Sequence, residues 1–156
     1  MENNRDLEKY AKELQEQIME QIKRRYSQTV IDLWQNPKDL RKLESPDGYA
    51  KVQGSCGDTM EMFIKMRDDK ICECTFFTDG CGTTIACGSM ATQLAQGKSF
   101  TEALAKISTE SILQHLGGLP QEDKHCAQLA ADSLRRALAD QLYQKKQAWK
   151  TKFRKI

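Results

Sequence analysis

The 156-residue sequence lacks both a strong excess of one charge and any long hydrophobic run. It contains 24 Lys and Arg residues against 22 Asp and Glu residues, so its overall charge gives no reason to expect a nucleic-acid partner. No apolar run approaches transmembrane length, and residues 1–6 lack the apolar stretch of a secretory signal. We therefore expect a cytoplasmic protein without a membrane partner, whose six cysteines are reduced thiols or metal ligands.

The sequence also lacks a Cys-x-x-Cys pair, which is the strong signature of a structural zinc site. Its length suits one domain with a hydrophobic core. Six of its positive charges fall within residues 145–156, whereas the rest of the chain is mildly acidic. We predict a helical N-terminal extension over residues 1–25, a single domain over residues 26–144 and a basic tail over residues 145–156. Lysines at the end of a helix complement its dipole, which is the interpretation we favour for the tail.

Apolar residues recur at helical spacing along the first part of the chain: Leu7, Tyr10, Ala11, Leu14, Ile18, Ile22 and Tyr26. Glu, Lys and Gln fill the other face, so the pattern predicts an amphipathic helix. The apolar stripe suits packing on the domain's own core and pairing with a second copy of the chain equally well. Formation of a homo-oligomer through this helix is therefore an open alternative.

Strand and helix patterns follow one another along the rest of the chain. A short helix over residues 29–35 ends before Pro37, and three later segments have strand patterns: 49–53, 60–66 and 71–78. Four helices follow, one of them begun by a capping box at Ser99 and the last, long one capped by Asp123. These elements predict an α+β fold. A small three-stranded antiparallel sheet is covered by helices, with an additional N-terminal helix and a long C-terminal helix.

Three cysteines each lie in a small motif of their own: Cys56-Gly57-Asp58, Gly80-Cys81-Gly82 and His125-Cys126. All three motifs are predicted to lie in loops or at element ends, where functional residues are often carried on a rigid frame. Cys81 precedes a helix and Cys126 begins one, so we expect the helix dipole to lower both thiol pKa values. Thiolates select zinc or iron–sulfur clusters, and Asp58 and His125 are nearby candidates for a fourth ligand. On spacing alone, the alternative is three separate buried cysteines that act as small apolar residues.

The other thiols and the second histidine have less distinctive positions in the sequence. Cys72 and Cys74 are predicted to share one strand face and to pack under the helices. Cys87 lies soon after Cys81 in the predicted helix, so it is either a core residue or a spare thiol. His115, near a helix end, is interpreted as a surface residue.

The three motifs and their surroundings closely resemble those of the NifU/IscU family of iron–sulfur cluster scaffolds. The segments that carry the resemblance are Tyr26-Ser27-Gln28-Thr29-Val30-Ile31-Asp32, Asn36-Pro37, Ser55-Cys56-Gly57-Asp58, Asp79-Gly80-Cys81-Gly82-Thr83-Thr84-Ile85-Ala86 and His125-Cys126. They occur in the family's order and span roughly residues 26–142. The resemblance implies that Cys56, Cys81 and Cys126 are the three scaffold cysteines. It also implies that Asp58 ligates the cluster or tunes its lability, and that His125 is the histidine beside the third cysteine.

The resemblance further implies a function and a set of partners. Family members build a transient 2Fe–2S cluster from iron and from sulfur that a cysteine desulfurase delivers as persulfide, and they pass it to apo-proteins. They also bind zinc at the same site. Members that work with a dedicated Hsp70-type chaperone carry a Leu-Pro-Pro-Val-Lys segment before the last motif. This chain has Leu119-Pro120-Gln121-Glu122-Asp123-Lys124 there, so recognition by such a chaperone does not carry over.

Two other functions use the same residues. A zinc-bound sulfur acceptor would have the same ligands order the site, with one cysteine as a persulfide relay that stimulates the desulfurase. A thiol enzyme would need a paired cysteine and histidine. Adjacent residues on a helix point about 100° apart, so His125 and Cys126 are expected to be poorly placed as base and nucleophile. We therefore predict a scaffold that is not an enzyme.

Overall fold

The computed structural model describes residues 2–154, and within this range the chain forms six α-helices and three β-strands. In chain order they are α1 (Glu2–Arg25), α2 (Gln28–Gln35), β1 (Gly48–Gln53), β2 (Thr59–Arg67), β3 (Lys70–Thr78), α3 (Gly82–Ala95), α4 (Phe100–Lys106), α5 (Thr109–Leu116) and α6 (Lys124–Arg154). A 3₁₀ turn (Gln121–Asp123) immediately precedes α6. The predicted α+β fold is confirmed, including the N-terminal helix and the long C-terminal helix.

The three strands form one antiparallel sheet in the order β1-β2-β3. Helices α3 and α6 cover one face of this sheet, and the core lies between them. The largest fully buried side chains there include Phe76, Met60, Met62 and Ile64. The free edge of β3 is partly covered by Leu40, which forms a parallel bridge with Phe76. Because an uncovered strand edge is open to pairing with another chain, this bridge protects the sheet.

A β-bulge near the start of β3 decides which of its cysteines faces the core. The pairing with β2 skips from Glu73 to Ile71, so Cys72 is the extra residue of the bulge. The Cys72 side chain is exposed, whereas Cys74 and Ile71 are fully buried. The prediction that Cys72 packs under the helices is therefore wrong, because the bulge interrupts strict alternation. The prediction for Cys74 is confirmed.

Helix α1 stands apart from the core over most of its length. Four of its apolar side chains are 46–66% exposed: Leu7, Tyr10, Leu14 and Ile18. The helix approaches the domain at its end, where Arg25 pairs with Glu122, and the hydroxyl of the following Tyr26 donates to the Asp123 carboxylate at 2.7 Å. The interpretation that the whole stripe packs on the domain's own core is therefore wrong. Pairing with a second copy stays a prediction.

Helix α6 continues without a break from the predicted domain into the predicted basic tail. It runs to Arg154, and the last two residues of the predicted tail, 155–156, lie outside the described residues. Trp149 and Phe153 are exposed near its end, with ring centroids 4.6 Å apart. Asp123, predicted to cap this helix, lies in the 3₁₀ turn before it. Among the residues described, no helix combines the length and the apolar composition needed to cross a membrane.

Helix α3 packs closely on the sheet because its inward-facing residues are small. Its buried positions include Ala86, Cys87, Gly88 and Ala91. The ring of Phe76 lies directly against Gly88, so that a Cβ atom at this glycine would overlap two ring carbons. This close approach holds the start of α3 at the end of the sheet. Cys81 is the N-cap residue immediately before that start.

The substitution Gly88→Ala tests this close packing. In an unconstrained helix interior the change would stabilise the protein by about 1 kcal/mol. Here the added methyl group overlaps the Phe76 ring, so we expect the free energy of unfolding to fall by about 1–3 kcal/mol. Urea unfolding measures the change. The control Gln93→Ala, at an exposed position of the same helix, should alter stability by less than about 0.5 kcal/mol. A Gly88→Ala protein as stable as the wild type would contradict this packing.

Candidate functional site

Three segments that carry the cysteine motifs meet at one end of the sheet, where β1 and β3 end and β2 begins. The loop between β1 and β2 is closed by a main-chain hydrogen bond from the Gly54 N–H to the Asp58 carbonyl, at 2.8 Å. Cys56 lies exposed at the tip of this loop. The next residue, Gly57, has a φ of 91°, a conformation that glycine adopts without strain.

The other two motifs lie at helix starts. Cys81 is the exposed N-cap residue of α3. Cys126 lies in the first turn of α6 and is buried. Asp58, which follows the first loop, is half-buried. Helices α3 and α6 pack against each other, so their starts face the same loop.

The hydroxyl group of Thr84 lies at the point where the three segments converge. Its Oγ1 donates to Asp58 Oδ2 at 3.0 Å and lies 3.4 Å from Cys126 Sγ and 3.7 Å from Cys81 Sγ. The fold therefore brings Asp58, Cys81 and Cys126 around one buried oxygen. Sequence reasoning missed Thr84 as a member of the site. Its signal is the three-residue spacing from Cys81, which places both residues on one side of the helix start.

Two glycines leave the room that this convergence needs. A Cβ atom at Gly80 would lie 2.7 Å from Asp58 Oδ2 and 2.8 Å from Thr84 Cβ, so the backbone lies directly against both residues. A Cβ atom at Gly82 would overlap the indole of Trp34, which packs from α2. The glycines on either side of Cys81 are thus required by close backbone approach.

His125 lies closer to the Cys126 thiol than its place in the sequence suggests. Its Nε2 is 3.6 Å from Cys126 Sγ. The expectation that His125 and Cys126 are poorly placed as base and nucleophile is therefore wrong, because the imidazole nitrogen lies within hydrogen-bond range of the thiol. Although their Cα–Cβ bonds diverge on the helix, the long imidazole side chain folds back toward the sulfur.

The two thiols next to Thr84 differ in pKa. Burial raises the pKa of the Cys81 thiol, but the nearby backbone N–H groups of Thr84 and Thr83 and the Thr84 hydroxyl outweigh it, so the pKa is lowered overall. Burial raises the pKa of the Cys126 thiol to about 11, against the lowering effect of the Thr84 hydroxyl. The expectation of a lowered thiol pKa is confirmed for Cys81. It is wrong for Cys126, where burial outweighs the helix start.

The remaining thiols and the second histidine lie outside this convergence. Cys74 and Cys87 are buried core residues, and burial raises the pKa of both thiols. Cys72 is exposed at the bulge on β3. His115 is exposed near the end of α5, with Nδ1 2.7 Å from the Ser111 carbonyl oxygen, which confirms its surface position.

The described side chains do not already form a coordination sphere. Within residues 2–154, no three Cys, His, Asp or Glu side chains stand close enough together to hold one metal ion. Asp58, Cys81 and Cys126 surround a hydroxyl group, and Cys56 lies at the tip of an exposed loop. To ligate one metal, these side chains would have to move inward.

Comparison with known proteins gives one consistent family. Residues 25–150 match the sequence model of the NifU-like N terminal domain. The chain is 47% identical over 116 residues to the iron–sulfur cluster assembly scaffold protein IscU 1 of Archaeoglobus fulgidus, over 74% of this chain and 75% of that protein. It is 39% identical over 120 residues to the iron–sulfur cluster assembly scaffold protein IscU of Escherichia coli, over 74% of this chain and 92% of that protein.

A solved structure shares the fold at lower identity. The N-terminal part of a nitrogen-fixing NifU-like protein from Brucella abortus superposes with a TM-score of 0.61 and is 18% identical. The superposition covers 75% of this chain and 94% of that chain. At this identity the likeness concerns the fold.

The unequal thiol environments predict an order of alkylation in the metal-free protein. Because the thiolate is the reactive form, we expect iodoacetamide at pH 7 to modify the exposed Cys81, with its lowered pKa, well before Cys126. Cys126 is buried and its pKa is about 11, so its labelling should rise steadily as the pH increases from 7 to 9. Mass spectrometry of the peptides measures both rates. Equal labelling of the two residues at pH 7 would contradict the assigned environments.

Proposed function

The chain belongs to the NifU-like N-terminal domain family, and from this membership we propose that it is a scaffold for iron–sulfur cluster assembly. The proposed cargo is a transient 2Fe–2S cluster, built from iron and from persulfide sulfur of a cysteine desulfurase. An external electron donor would reduce this sulfur to sulfide, and the cluster would then be transferred to apo-proteins. We assign this role to the domain predicted over residues 26–144. The protein itself is proposed to hold cargo and to catalyse no reaction.

The observation that carries the proposal is the convergence of three chemically suitable side chains from separate segments. Asp58, Cys81 and Cys126 lie within 3.0–3.7 Å of one hydroxyl oxygen. Separate apolar cysteines would need neither a shared polar neighbour nor a carboxylate beside them. Thiolates prefer zinc and iron–sulfur clusters, so the set suits a soft metal cargo.

We propose Cys56, Cys81 and Cys126 as the three thiolate ligands. Asp58 is the proposed fourth ligand, because its carboxylate already lies with Cys126 beside the same hydroxyl group. His125 is the alternative, since its Nε2 is near the Cys126 sulfur. A carboxylate binds these metals less strongly than a thiolate does. The proposed ligand set is therefore suited to a cluster that is held temporarily.

The unequal exposure of the three thiols gives the order in which they would bind in this proposal. Cys56 and Cys81 are exposed, so they are the thiols that iron and a partner's persulfide would reach first. Cys126 is buried and its thiol pKa is about 11, so it would bind last, when a metal displaces its proton. In this scheme the loop with Cys56 closes over cargo held by the two helix starts.

A zinc-bound sulfur acceptor that stimulates a cysteine desulfurase is the second candidate function. The observation that favours it is the exposure of Cys56, where a thiol could accept persulfide sulfur while other side chains hold zinc. Metal analysis of protein purified without oxygen separates the two functions. Stoichiometric zinc, together with faster desulfurase turnover when the protein is added, would favour the relay.

Anaerobic reconstitution with iron, sulfide and a reductant tests the scaffold proposal. We expect Cys81→Ser to lower the uptake of iron and sulfur by at least about ten-fold, since losing a ligand costs more than losing an outer-shell partner. The matched control is Cys72→Ser, which removes an exposed cysteine on the β3 bulge and should leave uptake unchanged. Absorption spectra and elemental analysis measure the uptake. If the Cys81→Ser protein took up as much as the wild type, the proposal would fail.

A further inference from the structure

Thr84 is a fully buried polar residue at the centre of the site. It is the third residue of α3, and none of its surface is exposed. A buried hydroxyl group destabilises a protein unless it is hydrogen-bonded, so its partners account for its presence. Its two nearer partners are Asp58 Oδ2 at 3.0 Å and Cys126 Sγ at 3.4 Å, and Cys81 Sγ, just before the same helix, lies at 3.7 Å.

The two partners come from segments that are far apart in the sequence. Asp58 precedes β2, and Cys126 lies in α6, whereas Thr84 belongs to α3. One hydroxyl group has one proton to donate, and both acceptors lie within reach of it. The Thr84 hydroxyl group therefore links three segments: the β1–β2 loop, α6 and the start of α3.

The backbone at Gly80 fixes how Thr84 lies in this position. A Cβ atom at Gly80 would be 2.8 Å from both Cβ and Cγ2 of Thr84 and 2.7 Å from Asp58 Oδ2. The methyl group of Thr84 thus packs against the Gly80 backbone, and its hydroxyl group lies toward the carboxylate and the thiols. The orientation of the hydroxyl group is set by packing as well as by hydrogen bonding.

We propose that Thr84 is a positioning residue, whose hydroxyl group holds Asp58 and Cys126 in place for an incoming metal. This inference rests on the proposed function of the same site. Thr84 itself is not a ligand in the proposal. Its hydroxyl group would hydrogen-bond to the two proposed ligands Asp58 and Cys126 without contacting the metal, as the outer-shell partners of metal ligands do in other proteins.

A role in positioning differs from a role in packing in one testable way. Valine has nearly the same shape as threonine but lacks the hydroxyl group, whereas serine keeps the hydroxyl group and lacks the methyl group. If the hydroxyl group positions the ligands, Thr84→Val must weaken metal binding and Thr84→Ser must largely restore it. If Thr84 only fills space, the order of the two variants is reversed.

The experiment uses the full-length, metal-free protein under anaerobic conditions. Zn²⁺ affinity is measured by competition with a chromogenic chelator, and the absorption bands of bound Co²⁺ report the ligand geometry. We expect Thr84→Val to bind Zn²⁺ at least about ten-fold more weakly, with altered Co²⁺ bands, and Thr84→Ser to stay within about three-fold of the wild type. The matched control is Thr92→Val, a fully buried threonine of the same helix that donates to the Ser89 carbonyl. This control should bind both metals as the wild type does.

A double-mutant cycle identifies the partner through which Thr84 acts. In an Asp58→Ala background, Thr84→Val should cost clearly less affinity than in the wild type, because position 58 then has no side-chain acceptor for the Thr84 hydroxyl group and the effects of interacting residues are not additive. Thr84→Ala replaces the valine variant if the latter fails to fold. The proposal for Thr84 would be overturned if the variant without the hydroxyl group had wild-type Zn²⁺ affinity and the wild-type Co²⁺ spectrum. It would also be overturned if Thr84→Ser weakened Zn²⁺ binding as much as Thr84→Val does. A wild-type protein that binds neither metal would instead overturn the proposed function.

Discussion

The close approach of α3 to its neighbours is the constraint on which the site depends. Phe76 of the sheet packs directly on Gly88, and Trp34 of α2 packs directly on Gly82. These contacts leave no space for side chains at either glycine. They fix the start of α3 against the end of the sheet, where Gly80 lies against Asp58 and Thr84. The position of the Cys81 thiol relative to the loop and to α6 follows from this packing.

The same packing makes the three proposed thiolate ligands unequal. Cys81 lies at the exposed start of α3, where hydrogen-bond donors lower its pKa despite partial burial. Cys126 is buried beneath the site, so its pKa is raised to about 11. Cys56 is exposed at the tip of a loop. In the proposed function, the two accessible thiols would bind iron or sulfur first and the buried thiol would bind last.

Sequence patterns predicted the helices and strands well, because hydrophobic periodicity and turn residues are local signals. They failed where tertiary packing determines the orientation or the burial of a side chain. The bulge that turns Cys72 outward has no periodic signal, and the burial that raises the pKa of Cys126 depends on segments distant in the sequence. Thr84 was missed because a threonine at a helix start is ordinary until Asp58 and Cys126 are seen beside it. The exposed stripe of α1 was ambiguous, since amphipathicity does not identify what covers it.

In the proposed site, three thiolates and one weaker oxygen ligand hold the metal. X-ray absorption at the zinc edge, on the anaerobically prepared zinc-loaded protein, counts these ligands. We expect three sulfur neighbours at about 2.3 Å and one oxygen neighbour at about 2.0–2.2 Å, without the outer-shell scattering typical of an imidazole ring. Four sulfur neighbours, or a shell made of oxygen and nitrogen alone, would contradict it.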